Sequence, residues 1–176
     1  MRNNIDRLDG TTSNNYVSIT NVRTNPTSSI STSNGNYVIR LGSESSYVDG
    51  YQTYVIEYNY NIGKDPLKDK DEFYFNIIGP EWENTVINKV QFTINMPEYF
   101  DESLLGFSSG SVGSTSNDVY YDVTGNTIKG YSYTPIYEGE SLTVRLELPE
   151  GYFSEAKSVY GANTVSYTHL TLPTIA

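Results

Sequence analysis

Hydrophobic and polar residues alternate along three segments of the chain, residues 54–62, 90–96 and 141–148. Successive side chains of a β-strand point to opposite faces of its sheet, so alternation predicts a strand with one buried and one solvated face. The apolar positions are Tyr54, Ile56, Tyr58, Tyr60 and Ile62 in the first segment, Val90, Phe92, Ile94 and Met96 in the second, and Leu142, Val144, Leu146 and Leu148 in the third.

Shorter runs of strand-forming residues predict further strands between these three, and no segment has a helical period. Gly125-Asn126 stands between two of the runs and predicts a tight hairpin. About eight or nine strands follow, which predicts an all-β fold, an antiparallel β-sandwich of the immunoglobulin-like or jelly-roll type. The Ser- and Gly-rich segment 106–117 is expected to connect strands. The shorter strands are expected at 16–23, 37–41, 72–78, 104–107, 119–123 and 127–133.

The charge of the chain limits its partners. Eleven Lys and Arg stand against 21 Asp and Glu, a net charge of −10, so nucleic acid and anionic membrane surfaces would be repelled. Cysteine is absent from the sequence, which excludes disulfides and thiolate metal sites. The 17 tyrosines suit half-buried sheet faces, and packing is favoured over a dedicated ligand surface.

The end of the chain has an unusual sequence. Residues 165–174 resemble a translated sequencing adapter. We therefore expect a non-native tail over residues 165–176. Before it, we expect an extended segment over residues 1–15 and a sandwich domain over 16–160. The one histidine, His169, falls in that tail, so imidazole catalysis is not expected, and neither is a catalytic site or a cofactor.

A group of acidic residues is the best candidate for metal chemistry. Four carboxylates close in sequence could supply oxygen ligands for Ca²⁺. Lysines interleave with them, however, and a solvated loop that pairs with itself is the favoured interpretation. The four residues are Asp65, Asp69, Asp71 and Glu72.

Trp82 lies between two glutamates and permits two functional hypotheses. A glycosidase needs two carboxylates on opposite sides of a sugar, and Glu81 and Glu83 would need a partner such as Asp71 or Glu57. A sugar-stacking patch would combine Trp82 with tyrosines, although packing in the core is favoured for these residues. The tyrosines concerned are Tyr58, Tyr60 and Tyr74.

The passage from the acidic group to the end of the 90–96 strand resembles the predicted-membrane-protein family DUF2207, although Phe75 stands where that family often has tryptophan. The resemblance covers about residues 8 to 153. It implies an extracytoplasmic domain, with an export signal and an opening strand upstream and membrane-spanning helices downstream. The positions that carry the resemblance are Asp71, Glu72, Tyr74, Asn76, Gly79, Trp82 and Pro97.

The leading functional hypothesis is a non-enzymatic extracytoplasmic domain of a bacterial membrane protein. Such a domain would act as an interaction or structural module at the cell envelope, with a protein or glycan partner at the cell surface and with membrane anchors outside this sequence. The alternative is a secreted or surface carbohydrate-binding module that uses Trp82 and exposed tyrosines.

Overall fold

The computed structural model describes residues 2–6, 12–16, 18–26, 28–33, 36–42, 45, 49–61, 69–153, 163–166 and 170–172. The chain divides into two compact units, one formed by Met1–Pro66 with Tyr160–Ala176 and the other by Leu67–Val159. The predicted division into residues 1–15, 16–160 and 165–176 stays a prediction.

Strands make up nearly all the regular structure of the described residues, together with one 3₁₀ turn at Glu102–Leu104. The first unit holds β1 (Arg2–Asp6), β2 (Thr12–Tyr16), β3 (Ser18–Asn25), β4 (Ser28–Ser33), β5 (Asn36–Leu41), β6 (Gln52–Asn61), β13 (Asn163–Ser166) and β14 (Leu170–Leu172). The second holds β7 (Lys70–Ile78), β8 (Gln91–Asn95), β9 (Leu105–Ser111), β10 (Val119–Thr124), β11 (Thr127–Ser132) and β12 (Glu140–Pro149).

All strand pairs in the first unit are antiparallel. The long strand β6 pairs with β3, β13 and β14, while β1 pairs with β2 and β4 pairs with β5. The side chains of β6 from Gln52 to Tyr60 are half-buried or exposed, with Glu57 among the exposed ones.

The second unit is a sandwich of two antiparallel three-stranded sheets. One has the order β7-β12-β9 and the other the order β10-β11-β8. The central strand β12 contributes four fully buried residues, Leu142, Val144, Leu146 and Leu148, at the alternate positions expected from the sequence. The predicted antiparallel β-sandwich is confirmed.

An aromatic cluster joins the two sheets of this unit. The Phe107 ring of β9 lies 5.2 Å from the Phe92 ring of β8 and 5.1 Å from the Tyr121 ring of β10. Gly130 of β11 pairs with Phe92 of β8 on one side and with Tyr121 of β10 on the other, and the Phe92 ring packs directly over it. Glycine is needed here because any Cβ would occupy the space of that ring.

The sequence pattern located nine of the strands, with shifted ends, and the Gly125-Asn126 hairpin is confirmed by the pairing of Thr124 with Thr127. Strands such as the Ser-rich β4 were missed because polar residues hide any alternation.

The interpretation of residues 106–117 as a connection is wrong for 106–111, which belong to β9. The inward Ser109 is tolerated because its hydroxyl donates to the Asp118 carboxylate at 2.9 Å.

Replacing Gly130 with alanine is expected to lower the free energy of unfolding by about 1–3 kcal/mol, because the methyl group would meet the Phe92 ring and the Tyr120 carbonyl oxygen, 2.8 Å away. Urea denaturation followed by circular dichroism measures this. Gly79→Ala is the matched control, since a Cβ there meets nothing within 4 Å, and its effect should stay below about 0.5 kcal/mol. Equal effects of the two substitutions would contradict the packing argument.

Candidate functional site

Strand β7 carries four of the seven positions that define the family resemblance, and they do not share a face. Asp71 points into the sandwich and is 4% exposed. Glu72, Tyr74 and Asn76 occupy the opposite side, where Tyr74 is 45% exposed. Neighbouring residues of a strand point to opposite faces, so these four positions serve at least two separate purposes.

The buried carboxylate of Asp71 holds the turn that follows β12. Its Oδ2 accepts the backbone N–H of Phe153 at 3.1 Å, a contact between residues 82 positions apart. A buried polar group needs a hydrogen-bond partner, and here the turn supplies one. Asp71 therefore ties the start of β7 to the end of β12.

A second tie holds the chain just after Pro97. The buried Tyr152 hydroxyl donates to the backbone carbonyl of Glu98 and accepts its N–H at 3.3 Å. Burial raises the pKa of the Tyr152 phenol, so the hydroxyl keeps the proton that it donates. Pro97, which itself is exposed, thus marks the exit from β8 at a point fixed by Tyr152.

The outer face of the β7-β12-β9 sheet is covered by polar contacts. Lys70 pairs with Glu147 at 2.8 Å, and the hydrogen bond to this carboxylate raises the pKa of the lysine. Thr143 donates to Asn76 Oδ1 at 2.8 Å. The contact with Thr143 gives Asn76 a role in joining β7 to β12.

Arg145 lies on the same outer face, opposite Tyr74 and Gly106 in the register. A Cβ on Gly106 would lie 2.7 Å from Arg145 Nε, so the glycine leaves room for the arginine side chain to cross β9. Tyr74 and Arg145 are both exposed.

Gly79 and Trp82 lie in the connection between β7 and β8. This connection is fixed where Ile87 and Ile136 exchange two backbone hydrogen bonds of 2.9 Å. Trp82 is half-buried, and Glu81 and Glu83 on either side are exposed. Adjacent exposed carboxylates do not by themselves bracket a sugar in the way that glycosidases require.

The described acidic residues proposed for Ca²⁺ do not share one side of β7. Asp71 and Glu72 face opposite sides of β7, while Asp69 is exposed before the strand begins. Asp65 lies outside the described residues. Within the described ranges, no group of three or more His, Cys, Asp or Glu side chains is placed to hold a metal ion. The complete set, with Asp65, stays a prediction.

The tyrosines named with Trp82 are distributed over both units, and the sugar-stacking patch stays a prediction. Tyr58 and Tyr60 are half-buried residues of β6 in the first unit. Tyr74 and Trp82 belong to the second unit, where one lies on the outer face of a strand and the other in a connection. The exposed aromatic pair that the structure does bring together was missed.

That pair is Tyr120 and Tyr131 on the outer face of the β10-β11-β8 sheet. Their ring centroids lie 5.4 Å apart with planes inclined by 33°, and the two residues are 59% and 37% exposed. Lys89 Nζ lies 5.5 Å from the centroid of the Tyr131 ring, within cation–π range. We call this outer surface the tyrosine face. It consists of Lys89, Gln91, Thr93, Asn95, Tyr120, Asp122, Thr124, Thr127, Lys129 and Tyr131.

The inner side of this sheet determines which side chains reach the tyrosine face. Ile128 is fully buried, and Val119 is 8% exposed, so the intervening positions of β10 and β11 point outward. Val90 and Ser132 exchange hydrogen bonds of 2.9 and 3.0 Å, which hold Lys89 beside Tyr131.

The hydrogen bonds between side chains of the tyrosine face do not involve its two lysines, which leaves them available to a partner. Asp122 accepts from the Thr124 hydroxyl at 3.1 Å, and Thr127 donates to Asn95 at 2.9 Å. In the part of the chain that the structure describes, neither Lys89 nor Lys129 forms an ion pair.

These features define the class of the protein: an all-β domain whose second unit is a two-sheet sandwich with exposed aromatic residues. A family model described as the N-terminal domain of a predicted membrane protein, DUF2207, matches residues 4–170, and the chain belongs to this family. Neither the comparison with curated proteins nor that with solved structures gave a match. The described residues include no helix with the length and apolar character needed to cross a membrane.

Asp71→Ala is expected to lower the free energy of unfolding by about 1–3 kcal/mol, because the Phe153 N–H loses its acceptor. Thermal and urea denaturation measure this. Asp69→Ala, at an exposed position, is the control and should change stability by less than about 0.5 kcal/mol. A melting temperature that rises with millimolar Ca²⁺ in the wild type but not in Asp71→Ala would show a metal-binding role instead.

Proposed function

We propose that this chain is a non-enzymatic extracytoplasmic domain of a bacterial membrane protein and acts as an interaction module at the cell envelope. The observation that carries the proposal is the tyrosine face, where two aromatic side chains stand exposed on the outer side of a sheet. Tyrosine is enriched where proteins contact partners, because it offers a large rigid surface with a polar end. Family membership supports the association with a membrane.

The contacts of two carboxylates, those of Asp71 and Glu147, support a structural role for these groups over a catalytic one. Asp71 holds the Phe153 N–H, and Glu147 pairs with Lys70. Both groups are therefore committed to contacts that maintain the sheet β7-β12-β9. The exposed Glu81 and Glu83 remain on one connection, and each would need a facing carboxylate to act on a sugar.

A carbohydrate-binding module that uses Trp82 is the second candidate. Its support is that Trp82 is half-buried in the connection between β7 and β8, with acidic residues on both sides that can bind hydroxyl groups. Loss of glycan binding on Trp82→Ala, with binding retained when Tyr120 is changed, would favour this candidate.

The extracytoplasmic location predicts that Lys89 and Lys129 of the full-length natural protein react with a membrane-impermeant amine reagent on intact cells, since both residues are exposed. Mass spectrometry of the digested protein measures the modification, and a cytoplasmic protein of the same cells serves as the unlabelled control. Modification of these lysines only after lysis would contradict the location.

The interaction role predicts that the purified chain sediments with cell envelopes isolated from cells that carry the gene. Replacing both Tyr120 and Tyr131 with serine should reduce the bound fraction, because the aromatic contact surface is removed. Tyr99→Ser is the matched control, since Tyr99 is 79% exposed and lies outside the tyrosine face. Equal retention of both variants and the wild type would contradict a role for this surface.

A further inference from the structure

We propose that the tyrosine face binds a neutral polysaccharide chain. The inference rests on the proposed interaction function and names the partner. Three properties carry it: an aromatic platform on the face, a row of hydrogen-bonding side chains beside that platform, and the negative net charge of the chain, which disfavours polyanions.

The platform is the pair Tyr120 and Tyr131. Sugar rings present flat C–H surfaces, which pack against aromatic rings, and Tyr120 exposes more than half of its surface to receive one. Tyrosine has few rotatable bonds, so ordering it against a ligand costs little entropy. The contact of Lys89 with Tyr131 is weak at an exposed site, and its ammonium can turn to a sugar hydroxyl.

Hydrogen-bonding groups follow the platform along the strands. Asp122 and Lys129 form the next outward pair, about 6.7 Å away because two residues of an antiparallel strand rise by that distance. Thr93 lies opposite Lys129 on β8, and Gln91 lies opposite Tyr131. Carboxylates accept, ammonium groups donate and amides do both, which matches hydroxyl groups that donate and accept.

The composition of the face favours a glycan over a protein. None of its ten residues is aliphatic, whereas the core of a protein interface is apolar and depleted in charged residues. A sugar chain needs the opposite arrangement, in which one or two aromatic rings stack against the sugar and many polar side chains form hydrogen bonds with its hydroxyl groups.

Charge favours a neutral chain over a polyanion. Single-stranded nucleic acids also stack on aromatic residues, but they need a groove with positive charge along the backbone. Here Asp122 stands opposite Lys129, so Lys89 is the one positive charge of the face left over, and the whole chain carries a net charge of −10. Repulsion would therefore work against phosphate or carboxylate polymers.

The test is affinity electrophoresis of the full chain in gels that contain neutral polysaccharides: soluble β-glucan, mannan, xylan or glycol chitin. Polygalacturonate and single-stranded DNA are the anionic comparisons. We expect retardation by at least one neutral polymer, unchanged between 50 and 500 mM NaCl, because no ion pair is formed. Tyr120→Ser should weaken binding about tenfold, as expected for loss of an anchoring aromatic residue.

Three variants make the result specific. Tyr120→Phe keeps the stacking surface and should retain binding, Tyr99→Ser should bind like the wild type, and melting temperatures of all variants should show that they fold. Binding by Tyr120→Ser equal to the wild type would overturn the proposal. Retardation by the anionic polymers alone would also overturn it.

The envelope experiment separates the failure of this inference from the failure of the proposed function. Envelope binding that depends on the tyrosines, with no retardation by any of the four neutral polymers, would overturn the proposal of a glycan partner. The interaction module would then have a partner of another kind. Failure of both experiments would overturn the interaction role as well.

Discussion

The contact of the Phe92 ring with Gly130, covered from the other sheet by Phe107, is the constraint on which the second unit depends. Phe107 also contacts Tyr121, so one residue of β9 holds two strands of the opposite sheet. Such aromatic pairs contribute about 0.5–1.5 kcal/mol each beyond the area that they bury. Their larger effect is geometric, because they determine which positions of β8, β10 and β11 face inward and, by alternation, which face solvent.

Two distant hydrogen-bonded contacts complete this frame. Asp71 reaches the backbone of Phe153, and Tyr152 reaches the backbone of Glu98, so the turn after β12 is attached to both β7 and the exit of β8. Three of the positions that identify the family, Asp71, Asn76 and Pro97, lie in or beside such contacts. These positions are therefore best explained by the architecture, and the sequence resemblance alone could not distinguish that role from chemistry.

Local pattern explains what could be predicted from the sequence and what could not. The Gly125-Asn126 turn pairs Thr124 with Thr127, and the same register brings Tyr120 opposite Tyr131. Apolar Val119 and Val123 on the other side indicate that Tyr120 faces solvent, so the pair could have been found. The link from Asp71 to Phe153 spans 82 positions and has no local signal. The predicted strand ended before the true end of β9, because Ser109 packs inward through hydrogen bonds to Asp118 and Ser116 that no alternation reveals.

The position of each tyrosine, more than their number, bears on function. Tyr121 and Tyr152 serve packing, as the composition suggested for tyrosines in general, whereas the adjacent Tyr120 points the other way into solvent. The inner cluster already holds β10 and β11 in place, and a cross-strand pair of threonines would serve the same outer positions, as Thr124 and Thr127 do nearer the turn. Sheet stability therefore does not require large aromatic rings at Tyr120 and Tyr131, and this is why we propose a partner that contacts them.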